Sequence, residues 1–160
     1  MRVIYPGSFD PLTKGHMDII SRLSIMYEEV VVAILYNENK NSVFTVEERK
    51  DMINEAIKGK GLKNISIEAF DGLLADFAKD KKIKIVARGL RAVTDYEYEK
   101  NIARVNATLY EGLETIFLLS NPAYSFTSSS GVREIAAFKG DVSAFVSQSV
   151  EEKIKKKFNY

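Results

Sequence analysis

The sequence predicts an α/β fold with a parallel sheet, and three observations carry that expectation. Short β-branched runs alternate with segments whose apolar residues recur at three and four. At least one strand run, Val30 to Tyr36, is continuously apolar, as a strand covered on both faces is. The 160 residues show no internal repeat, linker or low-complexity stretch, so one core suffices and residues 1–160 read as one domain.

The elements follow in order. Arg2–Tyr5 is a short strand, and Pro6-Gly7-Ser8-Phe9-Asp10-Pro11 reads as loop. Ile19, Ile20, Leu23, Met26 and Tyr27 mark an amphipathic helix. The second strand is Val30–Tyr36. Thr45 and Glu48 have capping-box spacing and open a helix to about Ile57, which Gly59-Lys60-Gly61 ends. Ile65–Phe70 reads as a strand, Leu73–Lys81 as a short helix and Ile83–Ala87 as a fourth strand. Thr94 and Glu97 give a second capping box, for a long helix that stops near Gly112. Thr115–Leu119 is the fifth strand, and Ser130 can cap a helix through Phe138, with Gly140 beyond it. Ser149 caps a last helix whose Lys153 and Lys155–Lys157 lie toward its C-terminal end, where cations complement the helix dipole. Five strands separated by helices imply right-handed crossovers and helices on both faces: a doubly wound, Rossmann-like domain with a five-stranded parallel sheet.

Composition excludes several kinds of chemistry. With no cysteine, the chain has no disulfide, thiol nucleophile or iron–sulfur cluster, and its one histidine, His16, removes multi-histidine metal centres. Lys and Arg number 23 against 22 Asp and Glu, a balance unlike that of a dedicated nucleic-acid binder. The longest apolar run falls far short of the roughly 20 residues a bilayer span needs. Met1-Arg2 leads straight into a strand, with no leader-like segment. A cytoplasmic protein, without membrane or nucleic-acid partners, is the expectation.

In such folds ligands lie outside the carboxyl ends of the strands. Three segments there stand out. Gly7 to His16 combines two glycines, a serine, a lysine and a histidine at a helix start, where free N–H groups face an anion. Alone, His16 reads more readily as a helix-end hydrogen-bonder, and the two glycines, the serine and the lysine of the same loop shift the balance toward a ligand. Arg88-Gly89-Leu90-Arg91 supplies two guanidiniums suited to bidentate phosphate binding, or else an exposed pair bridged to acids such as Asp95. Tyr124-Ser125-Phe126-Thr127-Ser128-Ser129-Ser130 enters a helix with successive hydroxyls, a cradle for phosphate oxygens or a multiple N-cap. Lys40 is a fourth candidate cation. P-loop, dinucleotide-fingerprint and nucleophile-elbow patterns are all missing. A site of His, Lys, two Arg and serines, with little obvious general base, suits transfer at phosphorus, where an anionic nucleophile needs positioning and charge neutralisation.

Gly7-Ser8-Phe9-Asp10-Pro11 followed by Thr13-Lys14-Gly15-His16 resembles the first signature of the nucleotidylyltransferase superfamily, and Thr127 to Arg133 its second. Arg88-Gly89-Leu90-Arg91, with Asp95 to Glu99 behind it, is similar to the bacterial phosphopantetheine adenylyltransferase family, and the similarity runs end to end. The resemblance implies that ATP and 4′-phosphopantetheine give dephospho-coenzyme A and pyrophosphate with Mg²⁺, by in-line attack and no covalent enzyme intermediate. By position, His16 contacts the α-phosphate, and Ser8 and Phe9 lie between nucleotide and acceptor. Lys40, Leu74 and Arg88 match acceptor-binding positions, while Gly89, Leu90, Arg91, Glu99 and Tyr124–Ser130 match ATP-binding ones. It also implies a homohexamer, and coenzyme A as a feedback inhibitor. Because no carboxylate cluster marks a metal cage, Mg²⁺ is expected to arrive on the triphosphate. Ser8, Tyr124 and Thr127 depart from the usual threonine, tryptophan and isoleucine. The rival readings are an adenylyltransferase for another acceptor such as nicotinate mononucleotide, a cytidylyltransferase, or a non-catalytic nucleotide sensor.

Overall fold

Successive residues of the central strands divide between two cores, as a sheet covered on both faces requires. The computed structural model describes residues 1–37 and 41–160. Five strands, β1 (Arg2–Gly7), β2 (Glu29–Tyr36), β3 (Ile65–Asp71), β4 (Ile85–Leu90) and β5 (Glu114–Leu119), form one sheet in the order β3-β2-β1-β4-β5. Every pairing is parallel. Val3, Tyr5, Val30, Val32 and Ile34 point into the larger core, with Ile20 and Leu23 of α1 (Lys14–Met26), Met52 and Ile53 of α2 (Val46–Gly59), Val132 of α5 (Ser129–Ala137) and Ile154 of α6 (Gln148–Phe158). Ile4, Val31, Ala33 and Val86 point the other way, against Ala75 and Ala78 of α3 (Leu74–Lys81). Leu23 is wholly buried, so Leu23→Ala would cost about 2–5 kcal/mol. The remaining helix, α4 (Val93–Leu109), lies beside β4 and β5.

The order reverses between β1 and β4, and there the sheet parts. β1 pairs with β2 from Arg2↔Glu29 to Gly7↔Ile34, but with β4 only at Ile4↔Val86. Pro6 has no N–H to continue that ladder, and its carbonyl is taken by the Arg88 guanidinium at 2.8 Å. The crevice that opens at this switch point is where such folds hold ligands.

Several boundaries differ from the sequence expectation. β1 runs through Pro6 and Gly7, because the β2 ladder continues beyond the proline. β4 starts and ends later than Ile83–Ala87, so Arg88, Gly89 and Leu90 are strand residues paired with Phe117, Leu118 and Leu119. α4 is opened by Asp95 rather than Thr94: its carboxylate accepts the backbone N–H groups of Arg91 at 3.0 Å and Ala92 at 3.3 Å. Ser128, not Ser130, caps α5, accepting from the Gly131 N–H at 3.0 Å. α6 starts after Ser147, before the expected Ser149 cap. Two of its lysines reach α2 instead of solvent alone, Lys153 to Glu55 and Lys157 to Glu48. Among the described residues, no helix is long and apolar enough to cross a membrane.

Candidate active site

A cleft of about 360 Å³ lies at the carboxyl ends of β1 and β4. The end of β1, the loop after it and the start of α1 give it Gly7, Ser8, Thr13 and His16, while β4, α4 and the turn between them give Arg88, Gly89, Arg91, Asp95 and Glu99. The loop into α5 adds Tyr124 and Thr127 to Ser130. All three segments singled out in the sequence therefore meet at one cleft.

His16 owes its orientation to helix initiation. Thr13 is the N-cap of α1, and its Oγ1 accepts the His16 backbone N–H at 3.3 Å. In return the Thr13 backbone N–H donates to His16 Nδ1 at 3.1 Å. This is a capping box with histidine at the position that Glu or Gln usually holds, which explains the spacing of Thr13 and His16. A backbone N–H can only donate, so Nδ1 is unprotonated and the neutral ring carries its proton on Nε2. That N–H is what His16 offers to the cleft. Desolvation, then the charges of Arg91 and Arg88, lowers the His16 pKa to about 4, so the ring is neutral at physiological pH.

Phe9 supports the same ring from behind. Its side chain is wholly buried, edge-on to His16 at 5.0 Å and to Tyr5 at 5.6 Å between centroids. It is absent from the cleft wall, so the position expected to touch nucleotide has a ring that faces the core. Phe9 takes a positive φ of 49°, and a Cβ at Gly7 would come within 3.0 Å of its Cζ, which is why glycine stands at position 7.

The two arginines are held differently. Arg88 donates from Nε and Nη2 to the two Glu99 oxygens, at 2.8 and 2.5 Å, and from Nη1 to the Pro6 carbonyl. Glu99, expected as an ATP contact, is buried with both oxygens on Arg88. Arg91 is more exposed, bridging Asp95 at 3.3 Å and the Thr127 carbonyl at 3.1 Å. Although burial opposes charge on Asp95, the Arg91 backbone N–H and guanidinium hold its carboxyl below the usual range. Two cations thus face the cleft near a helix N-terminus at Ser128, a field suited to a polyphosphate.

Not every expected residue reaches this wall. Leu74 begins α3 and packs in the smaller core. Leu90 is buried, Ser125 is exposed, and exposed Phe126 packs edge-on against Phe145 at 5.9 Å; none of the three lines the cleft. Lys40 lies outside the described residues. Conversely, Arg133 and Ser120 line the cleft without having been singled out individually. Arg133 was visible as the last residue of the serine motif, whereas Ser120 carries no pattern of its own.

Asp95 and Glu99 are the cleft's carboxylates, and both are paired with arginine. Among the described residues no three His, Cys, Asp or Glu side chains could together hold a metal. These side chains do not fit a protein-built Mg²⁺ cage.

A parallel sheet with its switch-point cleft, cationic walls and a neutral histidine donor defines the nucleotidyltransferase class. The cytidylyltransferase-like family profile matches residues 4–135. The chain is 49% identical over 154 residues to a phosphopantetheine adenylyltransferase of Alkaliphilus metalliredigens, covering 96% of this chain and 97% of that one. It is likewise 49% identical over 157 residues to the enzyme so named in Thermobifida fusca, covering 98% and 94%. Among solved structures it resembles the Plasmodium falciparum nicotinic acid mononucleotide adenylyltransferase complexed with NaAD. The TM-score is 0.72 at 16% identity, over 99% of this chain and 95% of that one, a likeness of fold. The chain belongs to the phosphopantetheine adenylyltransferase family, within the cytidylyltransferase-like group.

Proposed function

We propose that this protein transfers the adenylyl group of ATP to 4′-phosphopantetheine. An oxygen of the acceptor phosphate forms a bond to the α-phosphorus, the bond from that phosphorus to the bridging β-phosphate oxygen breaks, and pyrophosphate and dephospho-coenzyme A leave. The observation that carries the reading is the cleft's inventory: a neutral His16 with its Nε2–H available, two arginines, and the Ser128–Ser130 helix start. An acceptor phosphate is already anionic, so the step needs donors and alignment rather than a base. His16 then stabilises charge on the α-phosphate in the transition state. Arg91, Gly89, Tyr124 and Thr127 to Ser130 serve ATP, as does the backbone at Ser8 and Phe9. Ser8, Arg88 and Lys40 serve the acceptor, and Glu99 holds Arg88 in place.

Mg²⁺ belongs to the same proposal as a companion of the triphosphate, whose charge it neutralises. Residues 1–160 act as one nucleotidylyltransferase domain, a reading supported by relatives that match 96% or more of the chain. A cytoplasmic homohexamer with coenzyme A as feedback inhibitor completes the proposal. Exposed Tyr98, Val105 and Leu109 on α4 are apolar surface that assembly would cover. The deciding experiment is pyrophosphate release from MgATP with phosphopantetheine or with nicotinate mononucleotide. Turnover with the first alone is expected, and turnover with the second alone would overturn the acceptor.

A further inference from the structure

Four consecutive hydroxyls, Thr127 to Ser130, lead into α5, and three of them are already engaged within the fold. Ser128 Oγ accepts the Gly131 N–H at 3.0 Å and shares a hydrogen bond with Ser130 Oγ at 3.2 Å, and Ser129 Oγ donates to the Pro11 carbonyl at 2.8 Å. Thr127 differs. It lines the cleft and is only 5% exposed, yet its Oγ1 is closed off from solvent and has no hydrogen-bond partner among the described residues. Its main chain is held at both ends. The N–H donates to the Tyr124 carbonyl at 2.9 Å, and the carbonyl accepts Arg91 Nη1 at 3.1 Å. The side chain alone is left to adjust, and a turn between staggered positions about χ1 carries Oγ1 to another side of Cβ. A buried hydroxyl without a partner is unfavourable, whereas carbon of the same shape carries no such penalty. The isoleucine that the resemblance expects here would leave no polar atom unmet.

We propose that ATP supplies the missing partner, so that Thr127 is a nucleoside-reading residue of the cleft. The phosphates fall to His16, Arg91 and the amides at the start of α5. Thr127 stands one residue outside that start, so its neighbour in the bound nucleotide is what the α-phosphate carries. A hydroxyl both donates and accepts, so it can pair with the amino group of the base or with a ribose hydroxyl. The inference rests on the proposed use of ATP and adds a contact to this one atom.

Equilibrium binding of MgATP to the full chain, measured by calorimetry without acceptor, tests the contact in Thr127→Val, which keeps the shape and deletes the hydroxyl. The Kd for ATP should rise about threefold to tenfold, while the melting temperature of the nucleotide-free protein holds or rises, since an unmet polar atom is gone. Thr127→Ser keeps the hydroxyl and should bind within about twofold of the wild type. Deoxy analogues of ATP lacking either ribose hydroxyl, and purine riboside triphosphate, which lacks the amino group, identify the partner. The analogue without it should bind Thr127→Val and wild type equally. An unchanged Kd in Thr127→Val, or a loss that persists in full with every analogue, overturns the proposal. So does a melting temperature lowered by several degrees, which would mean that the fold itself satisfies the hydroxyl. Absence of ATP binding by the wild type would defeat the proposed function, whereas wild-type binding with an unchanged Thr127→Val Kd would defeat this contact alone.

Discussion

Both oxygens of Glu99 are held by one guanidinium, that of Arg88, at 2.8 and 2.5 Å, while a third Arg88 nitrogen holds the Pro6 carbonyl. The pair therefore ties α4 to β4 and to the end of β1, across the point where the β1–β4 ladder stops. Five N–H groups on a guanidinium, less these three bonds, leave two for a ligand.

Arg88→Ala removes the fork and strands Glu99, whose side chain is only 10% exposed. The expected cost is about 2–3 kcal/mol of stability, together with a KM for phosphopantetheine raised roughly tenfold to a hundredfold. Removing both partners should be milder than removing the arginine alone, because no carboxylate is left stranded. Thermal melts of Arg88→Ala, Glu99→Ala and the double variant check this. A double variant less stable than Arg88→Ala would contradict the pairing argument.

The histidine's setting in a capping box makes a prediction about Thr13. Thr13→Ala deletes the N-cap oxygen and should cost about 1 kcal/mol, and it also loosens the ring, so kcat should fall while ATP affinity holds. Thr13→Ser keeps the oxygen and should restore both. His16→Ala should lower kcat by roughly 10²–10³ with ATP still bound. A near-normal kcat in His16→Ala would leave that residue as a helix cap alone.

Much of this site was legible in the sequence, and the exceptions share a cause. Gly7, His16, Arg88, Arg91 and Ser128–Ser130 could be placed because a glycine-rich strand–helix junction, an Arg pair and serial hydroxyls are local patterns. Arg88 and Gly89 were expected just past a strand, since charged and flexible residues read as loop. The β5 ladder overrides that preference. The bonds of the Asp10 carboxylate were invisible: they come from the main-chain amides of Val43 and Phe44, 33 and 34 residues away, which carry no side-chain signature. Phe9 and Glu99 sit in motifs, yet motif membership does not tell whether a side chain faces ligand or supports one that does.

The His16 pKa of about 4 fixes the direction of pH effects. Its folded value lies below the ordinary 6.5, so the unfolded chain binds the proton first as pH falls. Stability from the neutral ring is therefore complete above pH 6.5 and is lost as pH falls through about 4. The Nε2–H donor persists over the same range, so kcat should show no inflection from His16 near 6.5. Proton NMR titration of the ring should give a midpoint well below that value. A midpoint near 6.5 would mean that the ring is neither desolvated nor repelled by Arg91 and Arg88.

Because the cleft's carboxylates are both committed to arginine, chelation should act on turnover and not on the fold. EDTA should abolish pyrophosphate release, and excess Mg²⁺ should restore it. The melting temperature of the nucleotide-free protein should stay within about a degree. A fall of several degrees would reveal a metal held by the chain itself, since a bound ion stabilises the state that binds it.

Arg91 and Arg88 should separate the two substrates. Arg91 reaches from the end of β4 to the Thr127 carbonyl while Asp95 steadies its Nε, so its guanidinium spans the two segments proposed to bind ATP. Charge-assisted hydrogen bonds of this kind contribute about 1.5–3 kcal/mol, which corresponds to roughly a tenfold to a hundredfold loss of ATP affinity in Arg91→Ala. Arg91→Lys keeps the charge without the fork and should fall between. Arg88→Ala should leave ATP affinity within a few-fold, and Lys40→Ala should lower kcat as well as acceptor affinity, because the role proposed for it is to hold the attacking phosphate in line. Equilibrium ATP binding measured beside steady-state kinetics distinguishes the two sides. If Arg88→Ala and Lys40→Ala weaken ATP and spare the acceptor, while Arg91→Ala does the reverse, the cleft has been assigned back to front.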